Sequence, residues 1–185
     1  NLVGGGENVG EVGVAVALRR DPGRGRVSIG CASTLHERAE RHLLLPRKPT
    51  ELDRLAREGL RFTECHTQPL CTPTRVELLT GLHNARNYVA FGVLPPGATT
   101  FAQLLRDAGY ATGAFGKWQL FGAEHYPEPI RGSGTLPEDA GFDAHCLWQV
   151  ERLGSRYWGP TLRIDGETRT FGADVYGPDV CCERL

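Results

Sequence analysis

The side chains best suited to chemistry lie in residues 71–81, which read Cys-Thr-Pro-Thr-Arg-Val-Glu-Leu-Leu-Thr-Gly. Pro73 suits the first turn of a helix, and Gly81 suits the left-handed residue that closes one. This places Cys71 at a helix N-terminus, where unpaired backbone N–H groups and the helix dipole favour an anion. Arg75 follows one turn later, and a guanidinium binds tetrahedral oxyanions through paired hydrogen bonds. The spacing predicts an oxyanion site with Cys71 as its nucleophile.

The segments before Cys71 alternate between helix and strand. Thr50 is predicted to cap a helix that closes at Gly59, and residues 60–65 alternate like a strand that leaves this helix. A helix, a strand, a reactive loop and a second helix in that order are typical of an α/β sandwich. In such folds the active loops lie at the carboxyl ends of strands, and Cys71 follows such an end.

A second unit of the same kind follows and carries further polar residues. Thr100 is predicted to cap a helix that Gly109 closes, and residues 110–115 read as the next strand. This strand leads into Gly-Lys-Trp-Gln, which places Lys117 and Gln119 at its end. Lys117 lies on a different element from the arginine of the first motif.

The motif Cys-x-Pro-Thr-Arg with Leu-Leu-Thr-Gly behind it resembles the signature of the type I sulfatases, which are formylglycine-dependent members of the alkaline-phosphatase-like superfamily. Gly-Lys-Trp-Gln and Gly-Phe-Asp further along resemble the same family. Residues 164–167, with Asp-Gly, resemble a hairpin of the family, and residues 176–179 resemble the segment that opens its next helix. Residues 83–99 and 120–160 are predicted to be loops. The resemblance implies an α/β fold, an alkaline-phosphatase-like sandwich with a mixed, mostly parallel sheet between helices. It covers residues 49–185, which we interpret as the N-terminal part of a sulfatase domain and expect to be incomplete.

The same resemblance implies a sulfuric ester hydrolase. A separate formylglycine-generating enzyme would oxidise Cys71 to formylglycine, whose hydrated aldehyde attacks the sulfur of a sulfate ester. Arg75 would steady the hydrate, and Lys117 would neutralise the sulfate oxygens. Gln119 stands where the family usually has histidine, and its amide can still donate a hydrogen bond to the substrate. The expected partners are a sulfate-ester small molecule or glycan and the modifying enzyme.

The family also holds Ca²⁺ with two adjacent aspartates on the first strand and a later aspartate pair. Residues 1–48 contain a single aspartate, Asp21. Of the implied ligands only Cys71, as formylglycine, is present, and we expect the others to be absent from this chain. Because a hard cation needs several oxygen ligands, we expect this chain alone to hydrolyse sulfate esters weakly or not at all.

Residues 1–48 differ from the rest in composition and stay unassigned. They contain eight Lys or Arg against five Asp or Glu, with several Gly-Arg clusters. Residues 12–18 and 27–29 are predicted to form short strands. We hypothesise that this segment does not provide the family's first strand and arises from a change of reading frame.

Composition sets wider bounds on the function. A length of 185 residues fits one domain, and 40% hydrophobic with 23% charged residues indicates a globular chain. A net charge of −1 gives no reason to expect a nucleic acid or a membrane as partner. The pairing of the six cysteines stays open, and Cys65 and Cys146 are predicted to be packing residues. His66, His83 and His125 are predicted to lie on loop surfaces.

Two alternatives to a sulfatase stay open. Phosphodiester and phosphonate ester hydrolases belong to the same superfamily, and some of them also use formylglycine. The chain is alternatively a non-catalytic remnant that at most binds an anion. Turnover of an aryl sulfate against a phosphodiester separates the first alternative from a sulfatase, and the mass of the Cys71 peptide bears on the second.

Overall fold

The computed structural model describes residues 14–19, 27–30, 54, 57 and 68–184. The strands with described bounds are β1 (Val14–Arg19), β2 (Val27–Gly30), β3 (Ala111–Lys117), β4 (Ala144–Trp148), β5 (Thr161–Ile164) and β6 (Glu167–Thr170). The helices are α1 (Cys71–Thr80), α2 (Asn84–Asn87), α3 (Phe101–Asp107) and α4 (Gly177–Cys182). None of the helices in the described residues is long and apolar enough to span a bilayer.

The strands form one mixed sheet in the order β2-β1-β3-β4-β5-β6. β3 and β4 are parallel, with Lys117 opposite Trp148, and the other neighbouring pairs are antiparallel. The predicted α/β class with a mixed sheet is therefore confirmed. The sheet is not mostly parallel in the described strands, since one of the five neighbouring pairs is parallel. For β5 and β6 the two-residue turn permits only antiparallel pairing.

The segment before residue 49 contributes two strands to this sheet. The strands predicted at residues 12–18 and 27–29 are confirmed as β1 and β2, and β1 pairs with both β2 and β3. Only their backbone is described. The division of the chain at residue 48 stays a prediction.

Helices cover both faces of the sheet. Successive side chains of a strand point to opposite faces, so neighbouring residues of one strand pack against different helices. Ala114 and Leu147 face one side, where they pack with buried residues of α1 and α3, here called the α1–α3 layer. Phe115 and Cys146 face the other side, where Val180 and Cys181 pack against them, here called the α4 layer. The sheet thus lies between helices, as the sandwich prediction requires.

Helix α1 confirms the prediction made for residues 71–81. Leu70 is extended and precedes the first turn, and the Thr74 hydroxyl donates to the Leu70 carbonyl oxygen at 2.9 Å. Val76 and Leu79 are buried in the α1–α3 layer, which anchors the helix. Gly81 closes it with a φ of 68°, a left-handed conformation that glycine adopts without steric cost.

Helix α3 begins at the predicted cap. The Thr100 hydroxyl accepts from the Gln103 backbone N–H at 3.2 Å, and the Gln103 side chain accepts from the Thr100 N–H at 3.1 Å. This reciprocal capping box satisfies two backbone donors that a helix otherwise leaves open. The Thr100 hydroxyl also donates to the Ala140 carbonyl at 2.5 Å, so the cap fixes the start of α3 against a distant loop.

The β5–β6 hairpin and α4 follow their sequence signals as well. Asp165 and Gly166 have φ values of 46° and 92°, the two positive angles that a type I′ turn requires. Pro178 stands in the first turn of α4, directly after the extended cap residue Tyr176. Both predictions for this part of the chain are confirmed.

Other predictions are wrong or lie outside the described residues. Residues 83–99 are predicted as loop but contain α2, whose first turn is capped by His83 Nδ1 accepting from the Ala85 N–H at 3.2 Å. β4 lies in residues 120–160, which are also predicted as loops; the three central residues of this five-residue strand are buried, so it shows no polar alternation. The strand at 60–65, with Cys65, and His66 fall outside the described residues. Arg54 and Arg57 are helical, within the helix predicted there.

Candidate functional site

Three of the predicted site residues meet at the start of α1. Cys71 is the first residue of the helix and is half-buried. Its Sγ lies 3.1 Å from Gln119 Oε1 and 3.7 Å from Lys117 Nζ. The helix N-terminus thus meets the carboxyl end of β3, the position at which ligand sites form in open α/β sheets.

The end of β3 is held in place by the parallel strand beside it. The N–H groups of Trp118 and Gln119 donate to the carbonyl oxygens of Trp148 and Gln149 at 2.9 and 2.8 Å. Gln119 has a φ of 52°, a left-handed conformation that costs a residue with a side chain about 1–2 kcal/mol. Local strain of this kind is common at functional sites, where the surrounding packing maintains it.

Arg75 is a buried residue that connects the start of α1 to the end of β3. The residue is 1% exposed, and its Nε donates to the Cys71 carbonyl at 3.2 Å. Its Nη1 donates to the carbonyl oxygens of Lys117, at 2.8 Å, and Trp118. The five fixed donors of a guanidinium suit this bridging role, which a lysine ammonium cannot reproduce. Arg75 therefore positions the start of α1 against the end of β3.

The Gln119 amide presents its oxygen to the site. Arg75 Nη2 lies 3.2 Å from Gln119 Oε1, and since a guanidinium only donates, the oxygen must be the atom that faces it. The Cys71 thiol donates to the same oxygen, while Gln119 Nε2 donates to the Tyr126 hydroxyl at 2.9 Å. From the sequence we expect the amide to donate toward a substrate. One hydrogen of its NH₂ group is bonded to Tyr126, the group has a second, and the role toward a substrate stays a prediction.

The charges around Cys71 change its acidity. Burial raises the pKa of the thiol, but the positive charges of Lys117 and Arg75 outweigh burial, and the pKa lies below its ordinary value of 9.0. Burial lowers the pKa of Lys117; the neighbouring Cys71 opposes that shift and the charge of Arg75 adds to it. Two positive groups beside a reactive side chain stabilise an anion at that point.

An aromatic side chain and a third cation border this site. Lys117 Nζ lies 5.5 Å from the centre of the Trp148 ring, and Arg156 Cζ lies 5.6 Å from it, both within cation–π range. Neither Trp148 nor Arg156 is predicted from the sequence as a site residue. The register that places Trp148 opposite Lys117 exists only because β4 lies beside β3.

Tyr126 is a further residue that sequence reasoning misses. Its hydroxyl accepts from Gln119, and its ring lies so close to Gly92 that a Cβ there would approach Tyr126 Cζ to 2.5 Å. The Gly92 N–H donates in turn to the Thr72 hydroxyl at 3.1 Å. Burial raises the pKa of Tyr126, partly offset by the hydrogen bond from Gln119. A loop 20 residues away in sequence therefore packs behind the site.

The histidines predicted as loop residues do not join the site. His83 is exposed and caps α2, and His125 is exposed with its ring 4.3 Å from the centre of the Tyr126 ring. In the part of the chain that the structure describes, no three His, Cys, Asp or Glu side chains come together as a metal site would require.

A separate buried polar cluster lies at β5, away from Cys71. Arg163 Nη1 donates to Glu151 at 2.8 Å, and its Nη2 donates to Glu138. His145 Nε2 accepts from the Gly166 N–H at 3.0 Å, so this nitrogen carries no proton. Burial lowers the pKa of His145, and the nearby Glu138 carboxylate only partly opposes it. The ion pairs of Arg163 are made within this cluster, with Glu138 and Glu151.

Part of this chain is similar in sequence to known proteins. Residues 44–148, more than half of the chain, match the family model described as Sulfatase. Arylsulfatase G of Homo sapiens is 42% identical over 89 residues, which cover 44% of this chain and 17% of that protein. Steryl-sulfatase of Mus musculus is 43% identical over 83 residues, covering 37% of this chain and 13% of that protein.

Arylsulfatase D of Homo sapiens is 44% identical over 81 residues, covering 36% of this chain and 14% of that protein. The matched part of the chain thus spans 13–17% of the length of these curated relatives. No solved structure matches the chain significantly.

Proposed function

The chain belongs to the sulfatase family, and on this premise we propose that it is part of a sulfuric ester hydrolase whose catalytic group is made from Cys71. The observation that carries the proposal is the juxtaposition at this residue. Its Sγ lies 3.7 Å from Lys117 Nζ at the N-terminus of α1. A positively charged, partly exposed helix start suits a group that must hold and attack a tetrahedral anion.

Each neighbour has a role that follows from its contacts. Lys117 is the cation within reach of residue 71, so we assign it the neutralisation of the sulfate oxygens. The Arg75 guanidinium donates hydrogen bonds to backbone carbonyls and to Gln119. We therefore assign it the positioning of residue 71 and Lys117, together with a favourable charge. Gln119 would fix the side chain of residue 71 through its amide oxygen.

Formylglycine in place of Cys71 would supply a hydrated aldehyde, an oxygen nucleophile that the thiol itself lacks. The modifying enzyme is a proposed partner, inferred from the Cys-x-Pro-x-Arg motif at residues 71–75. The substrate is proposed to be a sulfate-ester small molecule or glycan. Lys117 and the start of α1 would meet the sulfate group, and Trp148 would border the departing alcohol.

Ca²⁺, which the family implies, does not fit the described residues. A hard cation takes several oxygen ligands, with carboxylates foremost. The charged side chains that contact Cys71 are cations, and the one amide oxygen beside it is bonded to Arg75. The described residues hold no cluster of acidic or other ligating groups. We therefore assign no step to a metal ion and propose that this chain turns over sulfate esters weakly or not at all.

Co-expression with a formylglycine-generating enzyme tests the proposal. We expect mass spectrometry of the peptide that contains residue 71 to show an aldehyde in place of the thiol. Cys71→Ser should remove the signal, and Cys182→Ser, which alters an exposed cysteine outside the site, should keep it. A peptide that retains the thiol under these conditions contradicts the proposal.

The second candidate is a non-catalytic anion-binding chain, and the lack of acidic ligands in the described residues favours it. Inorganic sulfate binding distinguishes the two candidates when it is measured beside the modification of residue 71. Sulfate binding by a chain whose residue 71 stays a thiol after co-expression with the modifying enzyme supports the second candidate. Faster turnover of a phosphodiester than of an aryl sulfate would instead identify a phosphoester hydrolase of the same superfamily.

A further inference from the structure

We propose that Cys146 and Cys181 form a disulfide that ties α4 to the central strand β4. Their Sγ atoms lie 2.9 Å apart. A disulfide needs a separation of about 2.05 Å, so the two sulfurs have to approach each other by less than about 1 Å. The inference concerns the α4 layer and does not depend on the proposed function at Cys71, which lies at the start of α1.

The surroundings of the two sulfur atoms favour a bond between them. Cys146 is fully buried among Phe115, Leu162 and Ile164 of the sheet. Cys181 packs against the same cluster, and its Sγ also approaches the Cys146 carbonyl oxygen at 3.4 Å. Both sulfurs therefore point into one apolar space, from two different elements.

Helix α4 gains most from such a link. It has six residues, and isolated helices of this length are unstable in water. Its inward contacts are made by Val180 and Cys181. A covalent bond from its last turn to β4 would hold the helix on the sheet.

The two thiols differ in exposure, and this difference determines which of them reacts first. Cys181 is half-buried, so a small reagent reaches it, whereas Cys146 has no exposed surface. The contact with Cys146 lowers the pKa of the Cys181 thiol, and the same contact together with burial raises the pKa of Cys146. Cys181 is thus the thiolate that reacts first.

The oxidant would be a low-molecular-weight disulfide such as oxidised glutathione. The Cys181 thiolate attacks one glutathione sulfur, the glutathione S–S bond breaks, and glutathione leaves as a thiolate. Cys146 then loses its proton to solvent and attacks Cys181 Sγ in the mixed disulfide, releasing the second glutathione. The protein loses two electrons and two protons, and the oxidant becomes two glutathione thiols.

Peptide mapping of the full chain tests this inference. The chain is purified reduced, incubated with oxidised glutathione, and digested without reductant. We expect a peptide pair joined through Cys146 and Cys181. Cys182→Ala is the matched control, since it removes the exposed neighbour of Cys181 and should leave this pair in place.

Thermal unfolding gives a second readout that does not depend on mapping. We expect the oxidised chain to unfold on the order of 10 °C above the reduced chain, because the bond closes a long loop. Cys146→Ala and Cys181→Ala should each abolish this difference between oxidised and reduced protein. Since each variant is compared with itself, any loss of packing cancels.

Two outcomes overturn the inference. One is a folded, oxidised chain in which both thiols remain free. The other is a chain in which Cys181 is joined to a different cysteine.

Discussion

Cys71 lies at the start of α1 and Cys146 lies inside β4, and their surroundings shift the two thiol pKa values in opposite directions. At Cys71 the charges of Lys117 and Arg75 lower the thiol pKa despite burial. At Cys146 a second sulfur and burial raise it. The comparison shows that residues distant in sequence, Lys117 for one thiol and Cys181 for the other, help to set the acidity of each cysteine.

The largest effect of a single substitution on stability should come from Arg75→Ala, beside Cys71. This change leaves the buried carbonyls of Lys117 and Trp118 without their donor, and we expect the free energy of unfolding to fall by about 4 kcal/mol. Chemical denaturation measures it. Arg86→Ala, at an exposed arginine of α2, is the matched control and should change stability by less than about 0.5 kcal/mol. Equal effects of the two changes would show that Arg75 is not a structural bridge.

The loop that carries Gly92 and packs against Tyr126 should be nearly as sensitive to substitution. Gly92 and Gly97 both have positive φ, of 88° and 78°, so alanine at either position carries a backbone cost of about 1 kcal/mol. A Cβ at Gly92 would also press on the Tyr126 ring at 2.5 Å, whereas none would meet an atom within 4 Å at Gly97. We expect Gly92→Ala to cost about 2 kcal/mol more than Gly97→Ala in urea unfolding. An equal cost for the two substitutions would mean that the Tyr126 ring moves aside without loss of stability.

A smaller, local effect should follow from Lys117→Gln. The lysine charge lowers the pKa of the unmodified Cys71 thiol, so its removal should raise that pKa. The pH dependence of Cys71 alkylation, followed by peptide mass spectrometry, reports the change. Arg131→Gln, at an exposed arginine, should leave the profile where it is. An unchanged profile for Lys117→Gln would remove the lysine from the site.

Acid should weaken the fold at His145, the residue before Cys146 on β4. The pKa of His145 is lower in the folded chain than its ordinary value of 6.5, so the unfolded chain binds the proton first as the pH falls. The stabilisation is complete above 6.5 and is lost as the pH falls toward the folded-state value. His145→Gln should therefore flatten the loss of stability between about pH 7 and about pH 5. Thermal unfolding across that range checks it, and an unaltered slope would contradict the assignment.

The elements that the sequence predicts correctly have local signals. Thr100 and Gln103 form the capping box of α3, Gly81 closes α1, and Asp165-Gly166 makes the β5–β6 turn. Each depends on residues a few positions apart. The convergence of Cys71 and Lys117 could also be expected, because α1 and β3 both follow recognisable motifs.

The remainder depends on long-range packing that no local pattern encodes. Trp148 borders the site only because β4 pairs with β3, and β4 lacks the polar alternation that marks a strand. Cys146 is predicted as a packing residue and is indeed buried, but its contact with Cys181 depends on how α4 docks 35 residues later. The sequence does not predict the bond from the Gln119 amide to the Tyr126 hydroxyl either, since it depends on how the loop with Tyr126 packs.

The most direct test of the central claim is the alkylation rate of Cys71 with and without inorganic sulfate. If Lys117 and the start of α1 form an anion site around this residue, sulfate should slow alkylation of Cys71 and leave that of the exposed Cys182 unchanged. Equal rates for Cys71 across the whole sulfate titration, or equal slowing of both cysteines, would contradict the account.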